Sequence, residues 1–106
     1  MKCHLSFVAS FFLLCSCGAT INHQFNMIEK EINESPDSAL YHLEQISQKQ
    51  LHSKSSRAKY ALMKSMALDK NYIDVTDDSL INIAVNYYSD SKRHHKYKML
   101  GYYLRD

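Results

Sequence analysis

Glycine and proline are nearly missing from this chain: two of one and a single copy of the other among 106 residues. So few backbone breakers exclude a fold of many short strands joined by tight turns, and they favour helices. Cysteine is absent after position 17, because Cys3, Cys15 and Cys17 are the only three. A disulfide framework is thereby excluded from the body of the protein, which must fold by packing alone. An excess of one charge is missing as well. Without Lys2, which sits in a segment expected to be removed, 12 basic residues face 11 acidic ones. That balance gives no broad field for steering nucleic acid or acidic partners. Nucleophile elbow, glycine-rich phosphate loop and paired-acid motif are all lacking, so the sequence points to no enzyme and calls for no cofactor.

What is present begins with the amino-terminal segment. Lys2 is followed by a mostly apolar run over 5–15, and no acidic residue appears before Glu29. A short positive region ahead of an apolar run has the proportions of an export signal, and it falls short of the roughly 20 residues that span a bilayer. The stretch Leu14-Cys15-Ser16-Cys17 resembles the bacterial lipobox, in which a large aliphatic residue lies three positions before a cysteine and a small one just before it. The resemblance implies cleavage between Ser16 and Cys17 and attachment of acyl chains, palmitate among them, to the Cys17 thiol. The competing reading is a general secretory leader cut after another small residue, with Cys17 incidental. Each buried CH₂ is worth about 0.8 kcal/mol and one chain binds only reversibly, so a lipoprotein's two or three chains make a lasting anchor. By resemblance to enterobacterial sorting, the lack of an aspartate beside Cys17 implies the outer membrane, facing the periplasm. The expected organisation is a signal peptide over 1–16, the lipidated cysteine and a short tether over 17–21, and a helical domain over 22–106.

Apolar periodicity then predicts about five helices. Ile21, Phe25, Ile28 and Ile32 draw one stripe on a first helix over 22–34. Ser35-Pro36-Asp37 ends that helix and starts a second, over 36–47, with Ser35 as N-cap and Pro36 at the first helical position. Ser53 is the expected N-cap of a third helix reaching about Asn71, with Ala58, Leu62 and Met66 on its main stripe. Tyr72-Ile73-Asp74-Val75 reads as a loop apolar enough to pack. Thr76-Asp77-Asp78 should cap a fourth helix over 77–89, and a fifth should run from near Ser91 to the end of the chain. The openings Ser35-Pro36-Asp37-Ser38 and Thr76-Asp77-Asp78-Ser79 repeat at an offset of 41, which suggests a two-helix unit used more than once.

On Ser35-Pro36-Asp37-Ser38-Ala39-Leu40, Lys59-Tyr60-Ala61-Leu62 and Asp78-Ser79-Leu80-Ile81 the chain resembles the tetratricopeptide-repeat (TPR) lipoproteins of Bacteroides-type bacteria. The final segment fits the start of a repeat, because Tyr97-x2-Leu100-Gly101-x2-Leu104 follows the W-x2-L-G-x2-Y spacing, with Tyr for Trp and Leu for Tyr. The offset of 41 exceeds the 34 residues usual for such repeats. The resemblance implies an all-α fold of antiparallel helix-pair repeats, a TPR-like α-solenoid, incomplete at its carboxyl end. It further implies a membrane-anchored scaffold that binds a protein or peptide in the bacterial envelope. The alternative it offers is the sensory input domain of a longer signalling or regulatory protein.

The candidate partner-binding residues are Tyr60, Tyr97 and Tyr102, in a groove lined by the first helix of each pair. Tyrosine suits such surfaces because it combines a large apolar body with a polar tip. Lys92, Arg93, Lys96 and Lys98 form the one strong charge run. It reads either as an anionic contact, to lipid phosphates or an acidic partner, or as a solvated helix face beside a turn. His42, His52, His94 and His95 lack metal-ligand spacing, so no metal is expected. Met99, Leu100 and Tyr103 are expected to lack a covering helix, leaving the domain marginally stable. The firmest expectation is the anchor. A radiolabelled lipid precursor should be incorporated into the wild-type protein and not into Cys17→Ala, and equal labelling of the two would exclude acylation at this thiol.

Overall fold

The computed structural model describes residues 17–89 and 95–105, with side chains from Ile21 onward. Among them are five α-helices and one 3₁₀ turn, and no strand. They are α1 (Cys17–Glu34), α2 (Pro36–Glu44), the turn Gln48–Gln50, α3 (Lys54–Lys70), α4 (Ser79–Tyr88) and α5 (His95–Arg105). The all-helical class expected from scarce breakers is therefore what forms.

The predicted stripe of α1 is its buried face: Ile21, Phe25, Ile28 and Ile32 are all in the core. Because Ile21 belongs to that stripe, the helix extends upstream of it. Its backbone is helical from Cys17, five residues before the expected start, so no extended spacer separates Cys17 from α1. A single residue, Ser35, then makes the corner. Its amide donates to the Glu31 carbonyl (2.7 Å) and its own carbonyl accepts from the Ala39 amide (3.0 Å). Ser35 stands at the N-cap as expected, but its hydroxyl makes no capping bond; Pro36 at the first helical position leaves one fewer unpaired amide at this helix start.

Two boundaries are shorter than the periodicity predicted, and local hydrogen bonding explains both. Helix α2 stops at Glu44, three residues before the expected Ser47. There the Ser47 hydroxyl accepts from the Lys49 amide while the Gln50 side chain accepts from the Ser47 amide, a reciprocal pair that closes a 3₁₀ turn in place of more helix. Helix α4 begins at Ser79, two residues after the expected Asp77. Asp78 stands at the N-cap without a side-chain capping bond, and Asp77 before it accepts through its carboxylate from both the amide (2.9 Å) and the hydroxyl (2.6 Å) of Ser79, bonds that hold the Asp77 carboxyl below its ordinary value. Ser53 does cap α3, through a reciprocal arrangement with Ser56. The expected start of the last helix at Ser91 lies outside the described residues; within them α5 begins at His95.

The loop after α3 corrects a second expectation. Tyr72, Ile73 and Val75 are exposed rather than packed, Tyr72 at 94%. Its cause is the way α3 ends. The Ile73 amide donates to the Leu68 carbonyl and the Tyr72 amide to the Asp69 carbonyl, the two-bond closure that requires a left-handed residue between them. Tyr72 takes that conformation, with φ of 59°, and its side chain is turned into solvent. Asn71 locks the same end by donating to the carbonyls of Ala67 (2.7 Å) and Pro36 (2.9 Å), which ties the end of α3 to the start of α2.

Consecutive helices pack on one another throughout, and α1, α3 and α5 also pack each on the next of the three. Helix α3 touches all four others, and its Ala58, Ala61, Leu62, Met63 and Ala67 are buried. Gly101 on α5 is buried against α4, where an added Cβ would lie 3.2 Å from a Val85 methyl. Of the residues expected to lack cover, Met99 and Tyr103 are exposed, while Leu100 packs against the core.

A left-handed conformation costs a non-glycine residue about 1–2 kcal/mol, and the Tyr72 side chain recovers almost nothing by contact. Tyr72→Gly should therefore stabilise the fold by about 1 kcal/mol, read as a higher midpoint in urea with an unchanged slope. A lower midpoint would show that the exposed ring is held by contacts that this geometry does not contain.

A polar bridge across three parallel helices

Helix α1 carries a second stripe one residue out of step with its apolar one. Asn22, Asn26, Glu29 and Asn33 follow the same spacing of four, three and four as Ile21, Phe25, Ile28 and Ile32, so they share the neighbouring face. That face looks across α3 towards α5. Near its start, Asn22 and Asn26 line a hollow of about 270 Å³ with Ser55, Ser56 and Tyr88. Further along, Asn33 lines one of about 340 Å³ with Met66, Asp69, Lys70, Leu100 and Tyr103. Early residues of α1 meet early residues of α3 and later ones meet later ones, so the two helices run parallel. Helix α5 has the same sense, with Tyr97 beside Lys59 and Leu100 beside Met66. The even-numbered helices run the other way: Tyr97 of α5 meets Tyr88 at the end of α4, with ring centroids 5.4 Å apart.

Between the hollows, α1, α3 and α5 are joined by side chains. The Lys59 ammonium donates to Glu29 Oε1 at 3.2 Å. The Tyr97 hydroxyl donates to the same carboxylate, 3.1 Å from Oε1 and 3.4 Å from Oε2, and also receives a bond from Lys59. Lys59 lies 3.9 Å from the centroid of the Tyr97 ring, and Lys96 reaches Glu29 Oε2 at 3.6 Å. Burial pushes the Glu29 carboxyl upward. The Lys59 charge, the hydrogen bonds from Lys59 and Tyr97 and the Lys96 charge outweigh it, so the group is held below its ordinary value. Tyr88, in the core beside this cluster, is pushed well above the usual phenol range, first by burial and then by Tyr97, Tyr87 and Glu29.

The residues singled out by sequence divide sharply. Tyr97 is in the bridge, and Lys96 is at its exposed edge. Tyr60 is outside the bridge, half-buried against the core with the Lys64 ammonium 5.9 Å from its ring centroid. Tyr102 also packs against the core, with the Arg105 guanidinium 5.5 Å from its ring. Lys98 is half-buried on α5. Lys92, Arg93 and His94 lie outside the described residues, as do Ser16 and the leader, and of Cys17 only the backbone is described. His42 pairs with Glu31 at 2.8 Å on the outer face of α1 and α2. There it borders a hollow of about 440 Å³, lined by Met27, Ile28 and Gln45 among others. That hollow is bounded by one helix pair and holds no polar cluster shared between pairs, so the bridge face is the stronger candidate site. Sequence reasoning missed Glu29 and Lys59, though the Asn22-Asn26-Glu29-Asn33 stripe was there to be read.

Among the described residues no group of three or more His, Cys, Asp or Glu side chains is placed to hold a metal ion. No described helix is long and apolar enough to cross a membrane. Comparison of the chain with protein-family models, with curated proteins and with solved structures returns no match.

Because the Glu29 carboxyl is depressed, its stabilising effect is complete above its ordinary value of 4.5 and is lost as pH falls through the depressed one. Glu29→Gln should cost about 1 kcal/mol at neutral pH, the scale of a hydrogen-bonded, partly exposed charge. The gap between variant and wild type should close on acidification below the ordinary carboxyl range. A gap of constant size from neutral to strongly acidic pH would show that the charge on Glu29 is not what binds the three helices.

Proposed function

We propose that this protein is a membrane-tethered, TPR-like scaffold of a bacterial envelope, anchored through acylated Cys17, whose odd-numbered helices form a groove for a protein or peptide. The observation that carries the reading is the parallel run of α1, α3 and α5 along one face, with α2 and α4 packed between them. First helices on the inside and second helices on the outside are the arrangement of a helix-pair solenoid, in which each repeat touches its neighbours. Tight packing of α5 on α4 at Gly101 accords with the repeat-like spacing around Tyr97, Leu100 and Leu104.

The chemistry of the face supports binding rather than catalysis. Asn22, Asn26 and Asn33 offer side-chain amides that pair with a peptide backbone, and both hollows are open to solvent beside them. Tyr103, 73% exposed, and Met66 give an apolar patch at one end. The Glu29–Lys59–Tyr97 bridge fixes the floor between the hollows, so an extended or helical ligand would meet a preorganised surface.

A photo-crosslinking residue placed at Asn26 or Asn33 tests the reading in cells of the source bacterium. Both positions should give discrete adducts with one partner, while Tyr41 on α2 and Ile83 on α4, which are also exposed, should not. Adducts confined to Tyr41 and Ile83, or none at any of the four sites, would overturn the groove assignment.

A further inference from the structure

The parallel run of the odd-numbered helices has an electrostatic counterpart. At the end where α1 begins with Cys17, the turn Gln48–Gln50 packs against α1, and Gln50 reaches Gln24 at 3.4 Å. This brings Lys49 to the same end as Lys54, the first residue of α3. Arg57 is held there by carbonyls, those of Leu51 (3.1 Å) and His52 (3.2 Å), so its charge is positioned without being neutralised. Lys54 and Arg57 border the end of α4 at Asn86 and Tyr87. Lys49, Lys54 and Arg57 form no ion pair among the described residues, and Glu44 is the one described carboxylate on the helix ends and turns gathered here.

The opposite end is acidic. Glu34 closes α1, Asp37 opens α2, and Asp69 near the end of α3 meets Asp74, Asp77 and Asp78 of the following loop. Lys70 and Arg105 are the basic residues among them. Near-neutral composition thus hides a molecule with opposite charge at its two ends. The amino termini of α1, α3 and α5 lie at the basic end together with the carboxyl termini of α2 and α4, so the helix termini leave only a small net positive contribution there.

We propose that the basic end, carried by Lys49, Lys54 and Arg57, is a docking face for the phosphates of anionic lipids. The occupant is identified as lipid by position, because Cys17 starts α1 at this same end and the apolar leader precedes it directly. The inference rests on the membrane anchoring proposed above. It orients the domain on the bilayer, basic end down and acidic end outward, with the groove of α1, α3 and α5 rising from the surface. Each cation near an anionic surface gains about fivefold in local binding, and the effect fades within a Debye length of about 10 Å.

The test uses the full chain as exported, bound to vesicles of phosphatidylcholine alone or with about one-third phosphatidylglycerol, and reads acetylation of each lysine by peptide mass. On anionic vesicles Lys49 and Lys54 should react about fivefold more slowly relative to Lys70, and high salt should restore them. The variant Lys49→Glu should lose the slowing at Lys54 while keeping its helical circular dichroism. Equal rates on the two vesicle types overturn the proposal. So does slowing by a soluble polyglutamate peptide without slowing by anionic vesicles, which would assign the face to an acidic protein. The same digest reports the mass at Cys17. Acylation without protection removes the lipid face and leaves the anchor, whereas protection without acylation supports the lipid face and removes the anchor.

Discussion

The fold depends on one helix being packed from two sides at once. Helix α3 touches every other helix among the described residues, and it does so with a surface of mostly small side chains. Ala58, Ala61 and Ala67 let neighbouring backbones approach closely, while Leu62 and Met63 fill the space that alanine leaves. With no disulfide available to the helical body, this double packing has to carry the cooperativity. A second consequence is directional. Because α3 is capped firmly at both ends, by Ser53 at its start and by the Asn71 bond to Pro36 at its finish, it fixes the axis against which the other helices align.

That alignment is what makes the polar bridge possible. Helices α1 and α5 do not pack on each other directly, so the bridge is where they meet. A long acid on α1, a long base on α3 and a phenol on α5 span the gap that backbone packing leaves open. An exposed ion pair contributes little alone, but here the carboxylate accepts from two helices and the phenol ring lies beneath the ammonium. The same network sets the spacing of the odd-numbered helices and forms the floor of the groove. Stability and the candidate binding surface are therefore built from the same atoms, and a ligand in the groove would rest on a part of the molecule that cannot move independently.

Legibility in the sequence followed the range of the interactions. Helix number, the buried stripe of α1 and the Ser53 cap rest on neighbours three or four positions apart, and periodicity found them. Boundaries failed where a side chain offered the backbone another partner, as Ser47 and Gln50 do after α2 and Asp77 does before α4. The loop from Tyr72 to Val75 was misjudged because hydrophobicity says nothing about backbone handedness, and a tyrosine in the left-handed region points wherever the turn sends it. The bridge was half legible. Tyr97 stood out as an aromatic in a repeat-like spacing, whereas Glu29 and Lys59 look like ordinary surface charges until α1 and α3 are known to be parallel. Tyr60 shows the converse: adjacent to Lys59 in sequence, it turns about 100° away on the helix and leaves the bridge.

The distribution of charge breaks a local rule in a consistent sense. Acidic residues in the first turn favour a helix by facing its positive end, and none of α1, α3 or α5 has one. Helix α3 opens on Lys54 and Arg57, and α5 has Lys96 in its first turn, each placing a cation where the dipole opposes it at a cost of about 0.3–1 kcal/mol. The helices alternate in direction, so the carboxyl termini of α2 and α4 offset much of the dipole of the amino termini at the end that bears Cys17, and the positive charge there is carried by the side chains of Lys49, Lys54 and Arg57. The cost is met locally, by the Ser53–Ser56 cap and by the carbonyls that hold Arg57. Folding alone gives no reason to open α3 on two cations, whereas a surface that meets phosphate gains from both.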